Sequence, residues 1–186
     1  MSRPRNHPQV YVGVTIPTDR ARAWIEQLQA SGCPAGVWTE PSCAVLTVLY
    51  LAGVPQRELD RVEESVDRAA AGVTAFTLTA QRLASLPDEG PARQIALITD
   101  APAPILDLRH RLVTRLSHSA RGKPDAFVPR VPLLRFATPQ LDYRFARPVA
   151  DSPLPVDRVL ILETHLGGDG RFVRVLHEAP LATPRV

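Results

Sequence analysis

Few side chains in this chain can carry chemistry, and their spacing settles most of what they can do. His110 and His118 stand eight positions apart among arginines. Helical metal pairs use i, i+4 spacing, so these two read as a solvated face, and so does the run Asp107-Leu108-Arg109-His110-Arg111. His165 and His177 fall on two neighbouring strand-like segments and are placed to approach each other. A metal site there still wants a carboxylate, for which Glu163 and Glu178 are nearest in sequence. His7 belongs to a polar leader. Cys33 and Cys43 have neither the number nor the spacing of a metal centre or a disulfide framework, and read as free thiols of a reducing cytoplasm. Cys43 has no evident histidine partner to make it a nucleophile. No metal and no cofactor is expected. The strand-like segments also carry isolated polar residues, Thr47 and Arg130 among them. A guanidinium is charged at any physiological pH and grips phosphate or carboxylate through its planar fork. These two are groups for binding an anion rather than for moving a proton.

The elements that hold them follow from periodicity. Val10 to Ile16 reads as a buried strand, and Pro17-Thr18-Asp19 as a turn with an N-cap. Ala21, Trp24, Ile25 and Leu28 then recur at helical spacing up to Ser31-Gly32. Val37-Trp38 is a short strand and Cys43 to Leu51 a longer one. A second helix runs from about residue 56 to 71, closed by Gly72, and a third from about 104 to 120 behind Pro102 and Pro104. Between them lie strands 74–83 and 94–99, separated by the turn Pro87-Asp88-Glu89-Gly90-Pro91. Arg121 to Asp125 breaks the chain before the strand 126–136. The proline-containing stretch 138–155 is least determined, with a short strand around Tyr143-Arg144-Phe145. Strands 158–166 and 171–178, joined through Gly167-Gly168-Asp169-Gly170, form a hairpin whose turn lacks the flanks of a phosphate loop.

This order of strands and helices is α+β rather than a regular βαβ alternation. There is no near-identical repeat, only a weak correspondence between halves, each offering a helix that leads toward a strand bearing Thr47 or Arg130. The length fits a single domain with a sizeable core: a flexible leader 1–9, a domain 10–181 and a tail 182–186. Twenty-two basic residues face 19 acidic ones, a net charge of +3 that permits an anionic ligand without arguing for one. No Lys/Arg block reads as a nucleic-acid tail, so nucleic acid is only weakly supported as a partner. No apolar run reaches the roughly 20 residues of a membrane span and no signal peptide is seen, so the protein is expected in the cytoplasm, off the membrane.

The ordered set of motifs resembles the 2H phosphoesterases, the family of the 2'-5' RNA ligase-like proteins and RNA 2',3'-cyclic phosphodiesterases. The carriers are the opening strand with its proline-started helix, Trp38 ahead of the strand 43–51, and the turn from Leu51 to Leu59. Phe127-Val128-Pro129 with the trailing Arg135, and the closing hairpin from Val156 to Phe172, complete the set. The resemblance implies a bilobal fold with two mixed or antiparallel sheets around a central cleft and helices on the outer faces. It also implies two His-x-Thr motifs, whose histidines serve as general base and general acid at phosphorus while the threonines hold phosphate oxygens. Here the matching positions read Val45-Leu46-Thr47 and Arg130-Val131-Pro132. Valine has no proton to exchange, and arginine is no base near neutrality.

Strand alternation then puts Val45, Thr47 and Leu49 on one wall of the cleft and Arg130, Pro132 and Leu134 on the other. Such walls suit a small anionic or amphipathic ligand, or a partner protein's side chains. Pro132 in mid-strand calls for an edge position or a bulge. Three functions follow: a ligand- or partner-binding protein without the family's hydrolysis, an enzyme turned to a small metabolite, or a phosphodiesterase with unorthodox residues. Against all three stands the bland alternative, in which Val45 and Leu49 are core and Arg130 is a surface charge.

Overall fold

The segment Gln9–Thr15 is buried along its whole interior and forms β1, turning Val10, Val12 and Val14 to the main core and Tyr11 to the opposite face. The computed structural model describes residues 9–52, 54–116, 127–167 and 170–183. After β1 come α1 (Thr18–Gln29), β2 (Gly36–Trp38), β3 (Val45–Ala52), α2 (Leu59–Ala70), β4 (Phe76–Leu86) and β5 (Ala92–Thr99). Then follow α3 (Ala103–Leu116), β6 (Arg130–Gln140), β7 (Ala146–Val156), β8 (Arg158–Gly167) and β9 (Gly170–Pro180). One sheet has the order β3-β1-β8-β9, the other β2-β6-β5-β4-β7, and every neighbouring pair is antiparallel. The architecture is α+β with two antiparallel sheets and three helices.

Each helix buries one stripe, as its sequence spacing demands. Trp24, Ile25 and Leu28 of α1, Val66 and Ala69 of α2, and Ile105, Leu108 and Leu112 of α3 all enter one core with the inward residues of both sheets. The faces away from the helices carry only small clusters: Tyr11, Val45, Leu160 and Leu162 on one sheet, and Ala84, Leu86, Ala96 and Ile98 on the other. Both sheets are therefore covered on one side and open on the other. α3 packs on β3 although it leads to β6, and β3 and β6 touch.

Element ends shift by a few residues throughout, and two differences have a physical reason. Pro17, not Thr18 or Asp19, caps α1, and no side chain closes the cap. Tyr143 to Phe145 is not a strand; the strand is β7, eleven residues long and carrying Pro148, Pro153 and Pro155. It was hidden because proline argues against a strand, yet β7 is the outermost strand of its sheet, where a missing amide donor costs no ladder bond. The leader through residue 8, with His7, and Gly53, His118, the break at 121–125, Gly168-Asp169 and the tail from 184 lie outside the described residues.

Candidate functional site

Two strands carry the residues singled out above, and both contain the same irregularity. In β3, Val12 pairs with Leu49 and Gly13 with Thr47, so Val48 is an extra residue. In β6, Ile95 pairs with Leu134 and Ala96 with Pro132, so Leu133 is extra. Each is a β-bulge, which shifts the alternation by one. Val48 and Leu49 both enter the core, as do Leu133 and Leu134. Leu49 and Leu134 therefore do not line an open face. That corrects the strict alternation, and Tyr50 and Arg135 take their places.

The freed carbonyls are satisfied. Arg109 Nη1 donates to the Val48 oxygen at 2.6 Å, and its guanidinium lies 4.5 Å from the centroid of the Phe127 ring. Arg109 is thus no solvated helix residue; it ties β3 to the approach of β6. The Leu133 and Pro132 carbonyls accept from the Thr39 amide and hydroxyl, both at 2.9 Å. Pro132 sits beyond the three β6 residues that β2 pairs, so its outer side is a local edge beside a bulge.

Because the bulges match, the two strands superimpose in register: Val45 corresponds to Arg130, Thr47 to Pro132 and Tyr50 to Arg135. Their partners correspond too, Gly13 with Ala96 and Tyr11 with Gln94. The weak correspondence between halves is a real equivalence of position.

The two open faces have opposite character. On the β6 sheet the register sets three cross-strand rows: Arg82–Ile98–Arg130, then Ala84–Ala96–Pro132, then Leu86–Gln94–Arg135. A cavity of about 710 Å³ is lined by the first and third of these rows, with Arg82, Arg93, Arg130 and Arg135 in its lining and a single carboxylate, Asp88; the Ala84–Ala96–Pro132 row is not part of the lining. None of these four arginines has a hydrogen-bond or ion-pair partner among the described residues. Arg68, Arg111 and Arg158, by contrast, pair with Glu64, with Asp107, and with Asp157 and Glu178.

On the β3 sheet the rows are Val45–Thr15, Thr47–Gly13–Leu160 and Tyr50–Tyr11–Leu162; beyond them Glu178, opposite Leu160, pairs with Arg158. Thr47 is exposed. Val45 is 6% exposed among Tyr11, Leu160 and Leu162. Gly13 is held to its size here, since a Cβ would come within 2.7 Å of the Leu46 carbonyl oxygen and 2.8 Å of Val45 Cγ1.

Of the residues chosen from sequence, Arg130 lines the cavity, while Val45 and Thr47 lie on the other sheet, outside its lining. Arg82 and Arg93 were missed. Their only sequence signal is a charge within or beside an otherwise apolar alternation, and pairing across three strands is what gathers them. His165 and His177 do not meet: they face Phe172 and Ile161 in the register. His165 stacks on Phe172 and bonds to Glu163, while His177 Nε2 lies 2.7 Å from Asp67 Oδ1. Among the described residues, no three His, Cys, Asp or Glu side chains gather as a metal-holding group. No described helix is long and apolar enough to cross a membrane.

No family model matches the sequence, and no curated protein matches it significantly. Solved structures do match. TT0787 of Thermus thermophilus aligns with a TM-score of 0.75 at 22% identity, over 93% of this chain and 97% of that one. E. coli LigT complexed with 3'-AMP gives 0.75 at 17% identity, over 94% and 98%. A structure described as a phosphoesterase gives 0.72 at 17%, over 94% and 98%. At such identities the likeness is one of fold: the chain has the LigT-like α+β fold, similar to the 2H phosphoesterase structures.

Proposed function

We propose that this chain is a 2H phosphoesterase-like protein that binds a small anionic or amphipathic ligand on its open faces without hydrolysing phosphodiesters. The observation that carries this reading is the cavity with four unpartnered guanidinia and one carboxylate. Unpaired arginines over an apolar floor are costly to gather unless an anion joins them. LigT has been solved with phosphate, 3'-AMP, ATP and NADP+, and a phosphate-bearing group would suit these arginines equally. The equivalent positions Val45 and Arg130 supply no general base or acid, and none of the described histidines sits on an open face.

Titration calorimetry with inorganic phosphate, 3'-AMP and octyl phosphate tests binding, and incubation with 2',3'-cyclic nucleotides tests hydrolysis. Arg130→Ala is expected to weaken octyl phosphate by about 1.5–3 kcal/mol, the worth of a hydrogen bond to a charged group, with the melting temperature unchanged. Hydrolysis is expected to stay at background in the parent. Turnover abolished by changing Thr47 or Arg130 would sink the non-hydrolytic reading, and binding indifferent to Arg130→Ala would sink the anchor.

A further inference from the structure

The spacing of the arginines says more than their number. Strand neighbours lie about 4.8 Å apart, so Arg82 and Arg130, two strands apart across Ile98, have Cα atoms about 10 Å from each other. Their long arms can close on one anionic group above Ile98. Same-face residues on a strand are about 7 Å apart, which puts the row of Arg135 about 13 Å from that of Arg130. Arg93 precedes Gln94 in β5, and Gln94 is the cross-strand partner of Arg135. Both arginines line the same cavity. The row between, Ala84–Ala96–Pro132, has no charge and no long side chain.

We propose that this face holds a ligand with two anionic groups about 13 Å apart, one between Arg82 and Arg130 and the other at Arg93 and Arg135. An uncharged linear segment joins them along the uncharged part of the lining, Ile98, Gln94 and Leu86. This rests on the anion-binding reading above and names the ligand class for it: a molecule with an anion at each end rather than a single headgroup. Asp88 also lines the cavity. One carboxylate against four guanidinia leaves an excess that a single phosphate does not use.

Three probes separate the two subsites by calorimetry: octyl phosphate, octanediol bisphosphate, and ethanediol bisphosphate, which is too short to reach both. Octanediol bisphosphate is expected to bind about 100-fold more tightly than octyl phosphate, because the second contact becomes intramolecular. Ethanediol bisphosphate should show no such gain. On the variant carrying Arg93→Ala with Arg135→Ala, octanediol bisphosphate and octyl phosphate are expected to bind equally, and octyl phosphate to be weakened further when Arg130→Ala is added. Arg93→Gln with Arg135→Gln replaces that pair if its circular dichroism shows unfolding. Equal affinity for the mono- and bisphosphate of eight carbons, with octyl phosphate still dependent on Arg130, overturns the second subsite and leaves the first. A gain shared by ethanediol bisphosphate means that charge alone is read, and also overturns it. No binding of octyl phosphate at all overturns the underlying reading.

Discussion

Val45 and Arg130 occupy equivalent places in β3 and β6, yet their surroundings differ sharply. Val45 is packed among Tyr11, Leu160 and Leu162, whereas Arg130 is exposed over a cavity. An imidazole forced into the first place must be desolvated without an assured partner, at a cost of about 1–3 kcal/mol. Val45→His is therefore expected to lower the urea midpoint, and Arg130→His to leave it unchanged. Equal midpoints would mean that the face of Val45 can open to water. If the frame still suits acid–base chemistry, the triple variant V45H/R130H/P132T is the one to assay for cyclic phosphodiester hydrolysis. At this scale the sequence revealed Arg130, because a charge inside an apolar run stands out. It concealed Arg82 and Arg93, which become neighbours of Arg130 and Arg135 only through a register that no linear spacing displays.

The strands work as site elements because other elements fasten their bulges. Arg109 of α3 reaches the Val48 carbonyl and the Phe127 ring together. Arg109→Met should orphan that carbonyl and remove the ring contact, costing about 1.5–3 kcal/mol in urea unfolding. No change in stability would show that water satisfies the bulge as well. Between β6 and β7, Tyr143 meets Phe136 edge-on, stacks with Phe145 and donates to Cys33 Sγ at 3.7 Å. Burial first, then the Cys33 contact, pushes its phenol from the ordinary 10.0 up to about 12. The fold thus favours the neutral ring. That stabilisation is complete below pH 10 and is lost as pH rises through about 12. Urea midpoints measured across this window should fall in the parent more steeply than in Tyr143→Phe; parallel curves would exclude Tyr143 as the source. Helices were legible from their stripes, and most strands from their apolar runs. β7 was not, because its three prolines are admissible only on an outer strand, and position in a sheet is a property of the whole chain.

Over the whole molecule, a net charge of +3 says little, since it is a sum over the entire surface, while four guanidinia and one carboxylate gather at a single cavity. The order of elements implied the α+β architecture, but which residues reach the two open faces depended on bulges that invert the alternation halfway along β3 and β6. Those bulges also determine where the chain can change length. Removing Val48 or Leu133 takes out the supernumerary residue, so every remaining side chain of the strand keeps its side of the sheet. Removing Leu46 or Val131 instead breaks the phase, exchanging inner and outer residues between the cut and the bulge or sending Arg130 toward the core. Single-residue deletion at Leu133 is accordingly expected to leave a folded protein that still binds octyl phosphate, and deletion at Val131 one that does not, as thermal melting and calorimetry would register. The strand interior, ordinarily the part of a fold least able to lose a residue, here contains two positions that behave like loops.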